Sequence, residues 1–164
     1  YRNILLDSDE RWVWYGTGPS PSEPGIDHAK VFLQAWAQGL DGGLPYWDNF
    51  QTNWSEADAL SVVYSGRKVP GFGQYEGPIM SIRAKMMRQA QQIVELANLL
   101  AAQAGWNRQS VASAILARYG DGSSDRSFDT FDEIDLTELK AALIAALEDS
   151  SKSNTSVEKF SMFQ

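Results

Sequence analysis

The sequence predicts an α/β fold in which a few short strands sit beside long C-terminal helices. Three observations carry this. Residues 11–16, Arg-Trp-Val-Trp-Tyr-Gly, are aromatic and branched and are bounded by charge and glycine, which is a strand signature. Residues 28–40 carry Val31, Phe32, Ala35 and Trp36 at helical spacing, and a glycine-started apolar run follows at once over residues 40–49. Beyond residue 78, apolar residues recur every three or four positions through long stretches. Strand, loop, helix and strand in the first fifty residues imply a parallel pair with a right-handed crossover.

The elements follow in order. In the strand at residues 11–16, alternation puts Trp12 and Trp14 on one face and Val13 and Tyr15 on the other. Residues 17–25 hold Pro19, Pro21, Pro24, Gly18 and Gly25, a loop with several fixed φ angles. Asp27 is the expected N-cap of the first helix, and Gly39 fits its C-terminus. His28 falls in the first turn and is expected at the surface or as a cap. The run Leu40-Asp-Gly-Gly-Leu-Pro-Tyr-Trp-Asp-Asn49 reads as a buried strand whose carboxyl end opens into a site. In α/β folds ligand chemistry sits at that end of the strands.

Residues 50–77 form a long irregular segment. Loops of this length usually carry function or lack order, and its aromatic content argues for the former. Residues 60–64 within it suit a short strand of a hairpin. Pro78 suits a first helical position. From there Ile79, Ile82, Met86, Ala90, Ile93, Ala97 and Leu100 mark one face of a helix ending at Gly105, about 25 residues or roughly 37 Å long. Met86 and Met87 are expected as core filler. Asn107 is expected to cap a helix that Gly120 stops after Tyr119. Asp135 and Glu138 resemble a capping box for the run of Leu136, Leu139, Leu143, Ile144 and Leu147. The domain is expected to span residues 1–149, with a disordered polar tail over 150–164.

Composition narrows the function. Fourteen basic against 21 acidic residues give a net charge of −7, which disfavours a nucleic-acid backbone as partner. No apolar run is long enough for a membrane span. There are no cysteines and one histidine, so neither a thiolate nor a multi-histidine metal site is available; no metal and no cofactor are expected. Gly71-Phe-Gly-Gln-Tyr-Glu-Gly77 lacks the spacing of a phosphate-binding loop, and the acidic stretch at residues 121–132 lacks the pattern of a calcium-binding loop.

What remains is aromatic and acidic. Trp14, Tyr15, Tyr46, Trp47 and Trp54 cluster at or just past two strand ends, with Asp48 and Asn49 beside Trp47. Flat aromatic faces stack on the apolar faces of sugar rings, while Asp and Asn bond the hydroxyls. These seven residues are the candidate carbohydrate contacts. The plainer alternative is an aromatic core plugging a barrel mouth, with Asp48 capping a loop or pairing with Arg83.

Two stretches resemble the C-terminal part of the (β/α)8-barrel catalytic domain of glycoside hydrolase family 123 and its relatives. One is Trp12-Val-Trp-Tyr-Gly-Thr-Gly-Pro followed by Ala35-Trp-Ala-Gln-Gly-Leu-Asp-Gly-Gly-Leu-Pro-Tyr-Trp-Asp. The other is Leu60-Ser-Val-Val-Tyr-Ser-Gly followed by Gly77-Pro-Ile-Met-Ser-Ile-Arg-Ala-Lys-Met-Met-Arg. The resemblance implies two to three strands of a TIM-like barrel, incomplete alone, in a carbohydrate-active protein acting on N-acetylhexosamine-containing glycans. It also implies an extracellular or periplasmic setting. That family's catalytic Asp-Glu pair lies on an earlier strand, and neither Asp9-Glu10 nor Asp132-Glu133 stands at a matching place. The catalytic carboxylates are therefore expected outside this chain. The chain starts at Tyr1, and two or three strands cannot close an eight-stranded barrel. A complementary polypeptide or a missing N-terminal region is thus expected to complete it. The alternative is a non-catalytic module that binds carbohydrate or protein.

Overall fold

The computed structural model describes residues 10–15, 23–45, 62–68, 71, 73, 75–122 and 128–152, with backbone only at 13–15, 43–45, 68 and 150–152. The fold is mixed α/β and mostly helical. Its elements are β1 (Trp12–Tyr15), α1 (Ile26–Ala37), β2 (Gly42–Pro45), β3 (Val63–Ser65), a 3-10 turn at Gly66–Lys68, β4 (Pro78–Met80), α2 (Ile82–Ala104), α3 (Arg108–Tyr119) and α4 (Glu133–Lys152).

β1 and β2 pair in parallel, with Trp12 opposite Gly42 and Tyr15 opposite Pro45. Gly42 is glycine because a Cβ there would lie 2.7 Å from the Trp12 ring. The helix joining the two strands begins at Ile26 with Gly25 at the cap position, so Asp27 is a first-turn acid rather than the cap. The Asp27 and His28 amides donate instead to the carbonyls of Pro24 and Gly25, at 3.1 and 3.2 Å. The Asp27 carboxylate pairs with Lys30 at 3.1 Å. At the other end Gly39 takes φ +86°, and the Leu40 amide donates to the Ala35 carbonyl at 3.0 Å. That left-handed residue closes the helix in the manner expected of glycine.

Pro78 does not open α2. It begins β4, which pairs antiparallel with β3 and places Pro78 opposite Ser65. Proline is tolerated at the first position of an edge strand, where no ladder donor is needed. The cap of α2 is Ser81, whose Oγ accepts from the Ala84 amide at 3.2 Å and donates to the Val62 carbonyl at 2.6 Å. One serine thus starts the helix and ties it to the hairpin. Gly105, at φ +69°, ends α2 as expected. Asn107 caps α3, its Oδ1 accepting from the Ser110 amide at 2.8 Å. The capping box of α4 is one turn earlier than expected. Asp132 Oδ1 accepts from the Ile134 and Asp135 amides at 2.8 and 2.9 Å, and the Asp132 amide donates to Asp135 Oδ2 at 2.9 Å. α4 runs on to Lys152, past the expected start of a tail at residue 150; residues 153–164 lie outside the described residues.

The helices form the core, and α2 touches the other three. Gly25, before α1, lies against Met86 and Ile82, while Trp36 near its end donates to Asn98 Oδ1 at 2.9 Å, so α1 and α2 run in the same direction. Lys140 reaches Gln89 and Gln92 at 3.0 and 2.8 Å, and Gln103 donates to the Leu147 carbonyl at 3.5 Å, so α4 runs with α2 as well. α3 runs back: it starts beside Trp36 and ends where Tyr119 meets the Phe131 ring edge-on at 5.8 Å. Ala90 and Ala97 are fully buried between the bulkier Ile93 and Leu100, which lets neighbouring helices approach α2 closely. The expected apolar stripe of α2 holds from Ala90 onward. At its start Ile82 is 63% exposed and Arg83, the next residue, is 3% exposed. Arg83, three residues before Met86 and seven before Ala90, is the residue that faces inward in the first turn.

Candidate functional site

The site expected from the sequence lies at the carboxyl ends of β1 and β2. The register sets Tyr15 opposite Pro45, the last pair of the ladder, and Tyr46 follows Pro45 directly. Trp14 and Tyr15 are in β1 by backbone, and nothing is described of their side chains. Tyr46, Trp47, Asp48, Asn49 and Trp54 lie outside the described residues. The structure therefore brings Trp14 and Tyr15 to the strand end from which residues 46–49 depart.

Where α1, α2 and β3 meet, the described residues assemble a polar cluster that sequence reasoning missed. The first turns of α1 and α2 stand side by side, with Gly25 against Ile82 and Met86. His28 from α1 is fully buried, contrary to the surface or capping role expected for it. Burial, and after it the Arg83 guanidinium, holds the imidazole below its ordinary value, with Asp27, Glu23 and the Gly25 backbone pulling the other way. Arg83 donates to the Tyr64 hydroxyl on β3 at 2.9 Å. A charged guanidinium with 3% exposure is costly unless its donors are satisfied, and Tyr64 supplies one acceptor. The signal for Arg83 was present: it lies three residues before Met86 and seven before Ala90, on the apolar stripe.

The opposite end is held by Arg108, the first residue of α3. One Nη donates to the Trp36 carbonyl at 2.7 Å and also reaches the Leu40 carbonyl; the other meets Asp41 Oδ1 at 3.1 Å. The guanidinium lies over the Trp36 ring, 5.5 Å from its centroid. The group adds a second donor to the Trp36 carbonyl, which also accepts from the Gly39 amide at 3.0 Å, and bridges it to the Leu40 carbonyl just past α1. Burial lowers its pKa from the ordinary arginine value and Asp41 opposes that, so it stays charged at all ordinary pH. The backbone amide of Arg11 also donates to Asp41, at 2.9 Å. Asp41 thus pins the amino ends of both strands to α3.

Among the described residues no group of three or more His, Asp or Glu side chains stands where it could hold a metal ion, and no helix is long and apolar enough to cross a membrane. No protein-family model, no curated protein and no solved structure matches the chain.

Proposed function

We propose that this chain is the C-terminal portion of a glycosidase-like (β/α)8 barrel, and that it binds carbohydrate at the carboxyl ends of β1 and β2. The observation that carries the proposal is the parallel β1–α1–β2 unit, whose second strand leads straight into Tyr46-Trp47-Asp48-Asn49. α1 and α2 running in the same direction is what successive helices of such a barrel do. The strands support it too. Among the described residues β1 and β2 have no neighbours beyond each other, and a two-stranded parallel sheet is not self-sufficient in water. Further strands, from a complementary polypeptide or an N-terminal region, would cover those edges.

In this reading Trp14, Tyr15, Tyr46, Trp47 and Trp54 offer ring faces to a sugar, and Asp48 and Asn49 bond its hydroxyls. N-acetylhexosamine-containing glycans are the ligands that the resemblance favours. In this reading neither Asp-Glu step supplies the catalytic pair; Asp9 lies outside the described residues. Asp132 caps α4, and Glu10 accepts from the Trp12 indole at 3.1 Å, at the amino end of β1. A catalytic pair would therefore come from outside this chain. The test is titration of the chain with an N-acetylhexosamine disaccharide, with Trp47→Ala beside it. Saturable binding that the variant loses, at unchanged circular dichroism, supports the proposal; equal affinity in a well-folded variant overturns it.

A second reading is a non-catalytic binding module. The helical layer favours it, because among the described residues α1 to α4, with Phe128 and Phe131, bury a continuous core. A folded monomer that binds sugar or protein, with no hydrolysis by the whole protein, would mark this case.

A further inference from the structure

A cavity of about 450 Å³ opens between α1, α2 and the amino ends of β1 and β2. It faces away from the strand ends assigned to carbohydrate, and a ligand held in it is independent of that assignment. Its walls are aromatic and its polar groups are acidic. Trp12 forms one wall; its ring packs against Gly42 and its indole N–H donates to Glu10 Oε2 at 3.1 Å. The ring is fixed in place and yet 60% exposed, the most exposed tryptophan among the described residues. Trp36 forms another wall, locked by its bond to Asn98 and backed by Arg108.

The charges around the cavity do not balance. Asp41 is paired with Arg108. Glu95, from α2, also lines the cavity, is exposed, and makes no ion pair or hydrogen bond among the described residues. Glu10 stands beside Trp12 as a second carboxylate, held by the indole N–H rather than by a cation. Among the described residues Asp41 is the one lining carboxylate with a cation partner, and Arg108 is already engaged with it and with two carbonyls. A rigid, exposed indole face next to uncompensated carboxylates attracts a cation with a flat or methylated head, through the ring quadrupole and charge together. A sugar would satisfy the ring but leave Glu95 unneutralised.

We propose that this cavity binds an organic cation, a guanidinium or alkylammonium group, between the face of Trp12 and the carboxylate of Glu95. The cation is either the basic side chain of a polypeptide or a free small molecule.

Heteronuclear NMR of the full chain tests this through the indole N–H of Trp12. The probes are N-acetyl-arginine-methylamide, its neutral counterpart N-acetyl-citrulline-methylamide, tetramethylammonium and methyl β-glucoside. The arginine derivative is expected to shift the indole signal saturably and the citrulline derivative to leave it in place. Glu95→Gln should weaken the effect severalfold and remove most of its salt dependence. For Trp12→Ala, followed at the Val94 amide, the loss should be roughly 2- to 5-fold, the range of one exposed cation–ring contact. Both positions are exposed, so neither change threatens the fold. Tetramethylammonium binding as well as the arginine derivative points to a free cation, and binding of the arginine derivative alone points to a polypeptide side chain. Equal shifts from arginine and citrulline, a glucoside response without a cation response, or an unchanged Glu95→Gln variant each overturn the proposal.

Discussion

His28 has no exposed surface, and its site favours the neutral ring. In the unfolded chain the imidazole protonates near its ordinary value of about 6.5; in the fold it protonates at lower pH. Between those values the unfolded state binds more protons. Stability therefore declines as pH falls through about 6.5, and the loss is complete only below the folded value. The melting temperature of the wild type should drop between about pH 7 and pH 5, and that of His28→Gln should drop less over the same interval. Parallel curves would show that burial does not act on this ring. Arg108 gives a second test at this scale. Lysine keeps the charge but lacks the fork that spans two carbonyls and a carboxylate. Arg108→Ala should cost about 2 kcal/mol in urea denaturation, and Arg108→Lys should recover only part of it.

At the scale of elements, the caps separate what the sequence expressed from what it did not. Asn107, Gly105 and Gly39 were legible because each is the one residue type suited to its place between a helix and a break. Ser81 and Asp132 were not. Pro78 is equally at home at a helix start and at the head of an edge strand, and only pairing with β3 decides between them. Asp132 and Asp135 are both good cap residues three positions apart, and the helix took the earlier one. Asp132→Ala should destabilise the protein by about 1 kcal/mol, whereas Glu138→Ala, in the box the sequence suggested, should stay within about 0.5 kcal/mol. Chemical denaturation of the two variants side by side distinguishes the assignments.

For the whole molecule, the sequence read Leu40–Asn49 as a buried strand leading into a site, and the helical core gathers around α2. The parallel pair, the helix between its strands and the order of the later helices were all readable from periodicity. Where α2 begins was not, because only pairing with β3 shows that Pro78 opens a strand. Ile93→Ala, at 1% exposure in the middle of α2, should cost about 2–5 kcal/mol, while Ile82→Ala, at 63% exposure, should cost under about 1 kcal/mol. The polar cluster of His28, Arg83 and Tyr64 joins three elements distant in sequence, so no local pattern could announce it. The two ends of the β1–β2 pair differ in the same way. The carboxyl end continues into aromatic residues visible in the sequence, whereas the cavity at the amino end exists only once α1, α2 and the strands are packed together.

Carbohydrate binding at the carboxyl ends of β1 and β2 is tested most directly by mapping the amide shifts of the full chain on addition of an N-acetylhexosamine disaccharide. Binding there should concentrate the shifts at Tyr15 and over Tyr46, Trp47, Asp48 and Asn49, with the Trp12 indole unmoved. Shifts confined to the amino end of the pair, or none at saturating sugar, would contradict it.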